Sequence, residues 1–297
     1  MKIKEFFKNK PVISLEIFPP KPETPIDTIF DTIDALSDLK PAFMSVTYGA
    51  GGSSKANTVK IADAIKNKYN IEALAHLTCI GAKRDEIDNI LKQLKECHIE
   101  NIMALRGDIP VGLDPASLEN AEYKYAKDLI SYIKEKDSFC IGAACYPEGH
   151  IECPDEVNGL KHLKLKADFG ADFLITQLFF DNNLYFSLLE KLDIFDINLP
   201  VSAGIMPVIN KRQIERITAL CGASIPPKIK RILDKYGDNP EALKEAGIAY
   251  ATEQIIDLLS SGAAGIHLYT MNRPEVAMEI FSPIMNIRSF FNEGSKN

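Results

Sequence analysis

The side chains best suited to chemistry fall at the ends of apolar runs. Val12-Ile13-Ser14-Leu15-Glu16-Ile17-Phe18 is built from branched and aromatic residues and is closed by Pro19 and Pro20, which cannot continue a strand ladder. Glu16 lies one or two residues before that end, where a carboxylate is costly to bury unless something is gained by it. The arrangement recurs with other polar types. Thr47 follows Ser45, His76 follows Leu74, Tyr146 follows Ala144, Gln177 follows Ile175 and Tyr269 follows His267, while Asp108 lies just beyond Arg106. Counted by twos, each of the first five pairs shares one face of its strand. Only the run ending Ser202-Ala203-Gly204-Ile205-Met206-Pro207 presents no polar side chain. One His, Tyr or Gln at a strand end is ordinarily a satisfied rim residue. Seven of them at the same end of successive runs define a mouth.

The elements that must position them alternate along the chain. Strands are predicted over 12–18, 41–49, 71–78, 101–105, 139–146, 172–179, 199–206 and 265–270. Helices are predicted over 26–39, 57–69 (with Asn57 as cap), 84–97, 119–135, 155–168, 182–193, 210–220 and 274–287, with two extra segments near 226–236 and 239–260. Short, nearly continuous apolar strands, each followed by a helix, mean a parallel sheet covered on its outer face. Eight such units predict a (β/α)8 TIM barrel, class α/β, with extra helices between strands seven and eight. A doubly wound sheet would need a Gly-x-Gly-x-x-Gly turn after a strand, and FPPKPE, YGAGGSS, LTCIGAK and RGDIPVG do not supply one.

At 297 residues and 46% hydrophobic, the chain can bury roughly three quarters of its unfolded surface as a single domain over 1–297. A formal charge of -7 argues against a nucleic-acid or anionic-membrane partner. No apolar run approaches the length of a membrane span and no leader pattern opens the chain, so a cytoplasmic protein is expected. The six cysteines contain no Cys-x-x-Cys pair, so reduced thiols and no metal are expected.

A Schiff-base aldolase needs a lysine inside the barrel, and no strand here contains one. Metal-dependent hydrolysis would call for converging His and carboxylates; His76, His150, Glu16 and Asp108 are too scattered, and there is no His-x-His. The loop after strand seven, MPVIN, is poor in the glycines of a phosphate site. The remaining mouth has two isolated carboxylates, amide and hydroxyl groups, and the aromatics Tyr48, Phe179, Phe180 and Tyr269. It suits a flat polar heterocycle with one acid for proton transfer.

Eight runs that carry these residues resemble bacterial 5,10-methylenetetrahydrofolate reductases. They are SLEIFPPK (14–21), FMSVTYGAGG (43–52), AHLTCIG (75–81), IMALRGD (102–108), AACYPEGH (143–150), HLKLKADFGADFLITQLFFD (162–181), GIMPV (204–208) and HLYTMNRP (267–274). The resemblance spans about 8–285 and covers the catalytic barrel only. It implies a flavin enzyme that passes a hydride from NADH or NADPH, by ping-pong kinetics, to 5,10-methylenetetrahydrofolate. By resemblance Glu16 is the general acid that opens the N5–N10 bridge, its pKa raised by a partly apolar mouth. Asp108 is the carboxylate near the flavin and pterin, and Gln177, Tyr269 and Arg273 face the substrate, the last two as rim residues beyond strand eight. Thr47, His76, Leu105, Arg106, Gly107, Asp108, Tyr146, His150 and Lys166 are the cofactor contacts, with Lys166 near the pyrophosphate of FAD. Read without the resemblance, a helical Lys166 would be solvated.

Three positions depart from the family pattern. Gly159 stands where bacterial members have an aspartate, Leu165 where some have an arginine, and Ile217 where an aromatic packs on the bound folate or nicotinamide. The first two weaken the expectation of FAD against FMN. The third bears on the electron donor, since some relatives work with a companion electron-transfer subunit. A homo-oligomer is also expected from the family.

Overall fold

The computed structural model describes residues 1–8, 11–21, 23–48, 52–109 and 121–293. Eight parallel strands close into a barrel in chain order. They are β1 (Val12–Ile17), β2 (Phe43–Val46), β3 (Glu72–Thr78), β4 (Asn101–Leu105), β5 (Cys140–Cys145), β6 (Phe173–Thr176), β7 (Val201–Ile205) and β8 (Gly265–Tyr269). Around them run α1 (Asp27–Ser37), α2 (Gly52–Asp63), α3 (Arg84–Glu96), α4 (Ala126–Lys136), α5 (Glu156–Asp168), α6 (Asn182–Ile194), α7 (Lys211–Cys221), α8 (Pro227–Tyr236), α9 (Pro240–Ser260), α10 (Pro274–Phe281) and α11 (Met285–Glu293). The register pairs Glu16 with Ser45 on one side and with Tyr269 on the other, and Ser14 with His267.

Apolar side chains divide by parity into two shells. Leu15, Ile17, Met44, Val46, Ala75, Leu77 and Ile102 point outward and pack under the helices. Val12, Phe43, Leu74, Met103, Cys140, Phe173 and Ile175 point inward and fill the lower barrel. A 3-10 helix, Ile3–Lys8, plugs that end: Ile3 is fully buried and Phe7 lies 5.6 Å from the Phe173 ring. Each such aromatic or aliphatic burial contributes on the order of 1.5–3 kcal/mol. The lower barrel is therefore mainly apolar; its polar exceptions are the buried Ser202 and Asn101, whose Oδ1 accepts from the Ile3 amide at 2.7 Å.

Helices α7 and α8 form a cap beside that mouth. Ile214, Ile229 and Leu233 pack on Leu178, Phe180, Met206 and Val208, which come from the segments after β6 and β7, with Ile217 and Tyr269 at the margin. Lys228, Lys230, Arg231 and Lys235 cover the outer face of α8.

Four predicted boundaries moved for local reasons. The second helix begins at Gly52 rather than 57, so Asn57 lies within α2 instead of capping it, and it ends in a π-turn, Ala64–Lys68. The fourth starts at Ala126 because Asp128 accepts from the Lys124 and Tyr125 amides at 3.0 and 2.9 Å; the expected residues 119–120 lie outside the described residues. Strand six stops at Thr176 because Gln177 turns its own Oε1 onto the Leu178 amide at 2.9 Å. Phe179 and Phe180 consequently leave the mouth and are buried in the packing clusters. The last helix breaks at Pro283, whose missing donor and ring end α10 in a 3-10 turn.

Candidate active site

Glu16 sits at the junction of four strands. Its Oε2 accepts from Ser45 Oγ at 3.2 Å and lies 3.4 Å from Nε2 of both His267 and His76. His267, on β8, is completely buried. Its Nδ1 faces Ser14 Oγ at 2.8 Å, its Nε2 faces Ser45 Oγ at 3.3 Å, and Phe43 stacks on its ring at 6.0 Å. The Glu16 side chain is 17% exposed, so this is a polar cluster open to the mouth on one side only. Burial pushes its carboxyl up, but the bond with His267 and the charge of His76 outweigh that, and the group ends below the usual carboxylate range. The expected raised pKa is thus not found in the free protein. Burial lowers the pKa of His76 and favours its neutral ring, and its Nε2 has no hydrogen-bond partner.

Tyr269 belongs to β8 itself rather than to a rim beyond it. Its hydroxyl donates to the Thr176 carbonyl at 2.7 Å across β7, and burial pushes its pKa well above the ordinary value. Gly204 makes that reach possible: a Cβ there would run into the Thr176 carbonyl and lie 2.8 Å from the Tyr269 hydroxyl. β7 offers the mouth itself no polar side chain, its Ser202 lying fully buried lower in the barrel, and the Tyr269 phenol from the neighbouring strand reaches across it.

The second part of the mouth is a cavity of about 680 Å³ beyond β4 and β5. Leu105, Arg106, Tyr146, His150 and Lys166 all line it. Lys166 is not solvated: its Nζ turns inward, donates to the Ala144 carbonyl at 2.9 Å and lies 5.7 Å from the Tyr146 ring. With no carboxylate partner among the described residues, burial brings its pKa down to about 8. Tyr146 stands edge-on to His150 at 4.7 Å, and burial pushes its hydroxyl up to about 12. Arg106 pairs with Glu152, whose amide donates to His150 Nδ1 at 3.1 Å. Gly107 holds a left-handed φ of +84° against Thr78, where a Cβ would sit at 2.8 Å. Gly159 also lines the cavity, and a Cβ added there would meet nothing within 4 Å.

The remaining expected residues are more dispersed. Thr47 lies just past β2 and its carbonyl accepts from Thr58 Oγ1 at 3.1 Å. Asp108 is exposed, and its charge acts on Tyr146 and His150. Gln177 is half-buried with its amide oxygen turned on the adjacent backbone. Arg273 caps α10, is half exposed and pairs with Glu275 at 3.0 Å. The functional cluster missed in the sequence is His267 with Ser14 and Ser45. The signal was present, since all three share the inward parity of Glu16 or Tyr269, but they lie one layer below the strand ends.

The donor set suits an anionic, aromatic cofactor. The cavity offers one half-buried cation with no carboxylate partner among the described residues, Arg106 on a displaceable surface pair, and aromatic walls. The described residues hold no cluster able to bind a metal ion, and no helix among them is long and apolar enough to cross a membrane.

Comparison with known proteins supplies the lineage. The chain is 36% identical over 268 residues to 5,10-methylenetetrahydrofolate reductase of Escherichia coli K12, covering 90% of this chain and 88% of that one. Methylenetetrahydrofolate reductase (NADH) 1 of Arabidopsis thaliana is 35% identical over 291 residues, 94% of this chain, of which this chain spans about half the length, 49%. Among solved structures, an uncharacterized Clostridium thermocellum protein that binds two copies of 5-methyl-5,6,7,8-tetrahydrofolic acid shares the fold with a TM-score of 0.67 at 14% identity, over 97% of this chain and 99% of that one. Residues 2–285 match the family described as methylenetetrahydrofolate reductase, and with the identities above they show that the chain belongs to that family.

Proposed function

We propose that the protein reduces 5,10-methylenetetrahydrofolate to 5-methyltetrahydrofolate, using a bound flavin, FAD rather than FMN, that NADH or NADPH reduces in a separate half-reaction. The observation that carries this reading is the juxtaposition of one buried carboxylate cluster with an anion-suited cavity at the same barrel end. The folate identity is supported by the family and by the folate ligand of the Clostridium thermocellum protein.

Within this reading Lys166 and Arg106 hold the phosphates, while Tyr146 and His150 pack against the cofactor. His76, whose buried Nε2 lies 3.4 Å from Glu16 Oε2 without an aligned hydrogen bond, supplies a polar group for the ring system. The flavin, when bound, supplies two-electron hydride storage. Glu16 delivers the proton that makes N10 a leaving group, and the N10–CH2 bond then breaks with its electron pair on N10. Gln177 and Asp108 offer the pterin amide and carboxylate contacts, and Tyr269 lies on the substrate side at the end of β8. Arg273 at the rim faces the substrate.

A second reading keeps the folate chemistry but takes electrons from a companion subunit. It is favoured by Ile217, which packs into the cap cluster and leaves no aromatic at that position to stack on a nicotinamide. Anaerobic addition of NADH or NADPH to purified protein decides between them. Bleaching of the flavin's visible band supports the first reading; a flavin that stays oxidised with both donors supports the second. A protein that carries no flavin and cannot be reconstituted with one sinks both.

A further inference from the structure

The turn after β5 carries two aromatic walls of the cavity, Tyr146 and His150, and Glu148 stands between them. The turn is held from within. The Gly149 amide donates to the Tyr146 carbonyl at 3.1 Å, the Cys153 amide to the His150 carbonyl at 2.7 Å, and the Glu152 amide to His150 Nδ1 at 3.1 Å. Glu148 reaches the cap instead of its own turn. Both of its carboxylate oxygens accept from the Ser224 amide, at 3.0 and 3.1 Å. Ser224 lies between Gly222, where α7 ends at a left-handed φ of 77°, and Pro227, where α8 begins. The contact has a second point: Ile151 passes Gly222, where a Cβ would stand 3.6 Å from its own. The charge of Glu148 also reaches Cys221, the last residue of α7, whose thiol is pushed up mainly by burial.

On its other side the cap rests on apolar packing, with Ile214, Ile229 and Leu233 against Leu178, Phe180, Met206 and Val208. Such contact is non-directional, so it holds the helices down without fixing where along the surface they stand. A hydrogen bond to a carboxylate is short and directional, and it pins one point of the cap to the cavity turn. We propose that Glu148 is a positioning residue for the folate mouth: it hangs the C-terminal end of α7 from the cofactor turn and thereby sets where Ile217, at the margin of the cap, stands beside the substrate. Ile217 lies four residues before Cys221, one turn up the same face of α7, so a shift of the helix end is carried to it. Within five consecutive residues the chain thus offers Tyr146 and His150 to the cofactor and Glu148 to the cap. The inference rests on the reading of the mouth as a folate site.

Glu148→Ala removes both acceptor oxygens, and Glu148→Gln keeps one. Hydrogen exchange of the purified protein, followed by mass spectrometry, reads the strap directly and needs no assumption about the reaction. Amides in 218–226 should exchange roughly five- to tenfold faster in the Ala variant, as expected for losing one hydrogen bond, with the barrel strands unchanged. The KM for 5,10-methylenetetrahydrofolate should rise by a similar roughly five- to tenfold, at an unchanged limiting rate and unchanged flavin content. Glu148→Gln should recover most of both effects. Unchanged exchange in 218–226 overturns the inference, because Glu148 then does not hold the cap. Faster exchange with a wild-type KM also overturns it and leaves the bond merely structural. Loss of flavin together with the limiting rate assigns Glu148 to the cofactor cavity rather than to the cap. A flavin-loaded wild-type protein that does not turn over methylenetetrahydrofolate sinks the folate reading itself, whatever the exchange of the variants shows.

Discussion

At Glu16, on β1, the polar atoms come from strands β2, β3 and β8 and lie within 3.4 Å of its Oε2, so the carboxylate is surrounded by polar partners. At Lys166 the polar atoms come from a helix and from segments after β4 and β5, and among the described residues the cation meets a backbone carbonyl and an aromatic ring but no carboxylate. The first region stabilises its carboxylate from within the protein; the second is left incomplete and is suited to receive an anion. A barrel supplies both from one scaffold because strand register fixes the first, while the loops and helix ends that follow the strands adjust the second.

The contrast breaks most sharply at Glu16. Glu16→Gln keeps the shape of the side chain but has no proton to deliver, so the folate half-reaction should fall by roughly 10²–10⁴. Flavin reduction should remain within about tenfold of wild type, because it uses no acid at the folate. Stopped-flow mixing of each half-reaction reads both; a parallel collapse would mean that Glu16 is a general binding group. Stability should fall by about 1–2 kcal/mol at neutral pH, since the carboxylate is compensated by Ser45 and His267 rather than buried alone. The folded pKa lies below the ordinary 4.5, so that contribution is present above pH 4.5 and is lost as the pH falls through the folded value. Acid unfolding of wild type and variant should therefore converge.

Lys166→Ala acts on the other region. It should weaken flavin binding by roughly 1.5–3 kcal/mol, the range of a hydrogen bond to a charged group, with little effect on chemistry once flavin is saturating. The pH dependence carries a sign. In the free protein Lys166 loses its proton near pH 8, and a phosphate beside it would raise that value. Flavin affinity should hold steady below pH 8 and weaken above it in wild type, and this limb should vanish in the variant. Without ligand the effect on stability runs the other way. The unfolded lysine keeps its proton up to about 10.5, so stability rises with pH between 8 and 10.5.

These two residues also show what the sequence could and could not reveal. Alternating apolar runs and helical stripes were enough for the barrel, and the parity of Glu16, Ser45, His76 and Tyr269 placed the mouth. Lys166 was not legible from its own neighbourhood, because nothing in a helical Lys-Leu-Lys pattern says which lysine turns onto a strand carbonyl. The His267 cluster was hidden for a different reason: its meaning lies in the register of β1, β2 and β8, which brings Ser14, Ser45 and His267 together from positions far apart in the chain. Phe179 and Phe180 were misplaced because one side chain, Gln177, ends its own strand.

Asp108→Asn has a smaller expected effect than either substitution above. Removing a negative charge beside a flavin that becomes anionic on reduction should raise its potential. Asp108 is exposed, so solvent and salt screen it, and a rise of roughly 30 mV or less, tenfold for a two-electron couple, is expected at physiological ionic strength. An unmoved or lowered midpoint would take this carboxylate away from the flavin. It should also weaken folate binding by removing an acceptor.

The smallest effect is a gain, and it tests whether the second region is incomplete in the way its residues suggest. Gly159 lies early in α5, facing the cavity with open space where a side chain would be. Gly159→Ala should stabilise the protein by up to about 1 kcal/mol through helix propensity alone, with flavin affinity unchanged. Gly159→Asp should give a comparable gain in stability, because its lower helix propensity is offset by a carboxylate in the positive first turn. It should also tighten flavin binding several-fold if its oxygens meet hydroxyls of the cofactor's ribityl or ribose. Thermal melts of the flavin-free forms and flavin titrations of both variants separate the two contributions. Should Asp bind flavin no better than Ala, the open space is not a missing contact. It would then be room that a different arrangement of the cofactor already uses, and FMN, which lacks the adenosine half, becomes the ligand to titrate first.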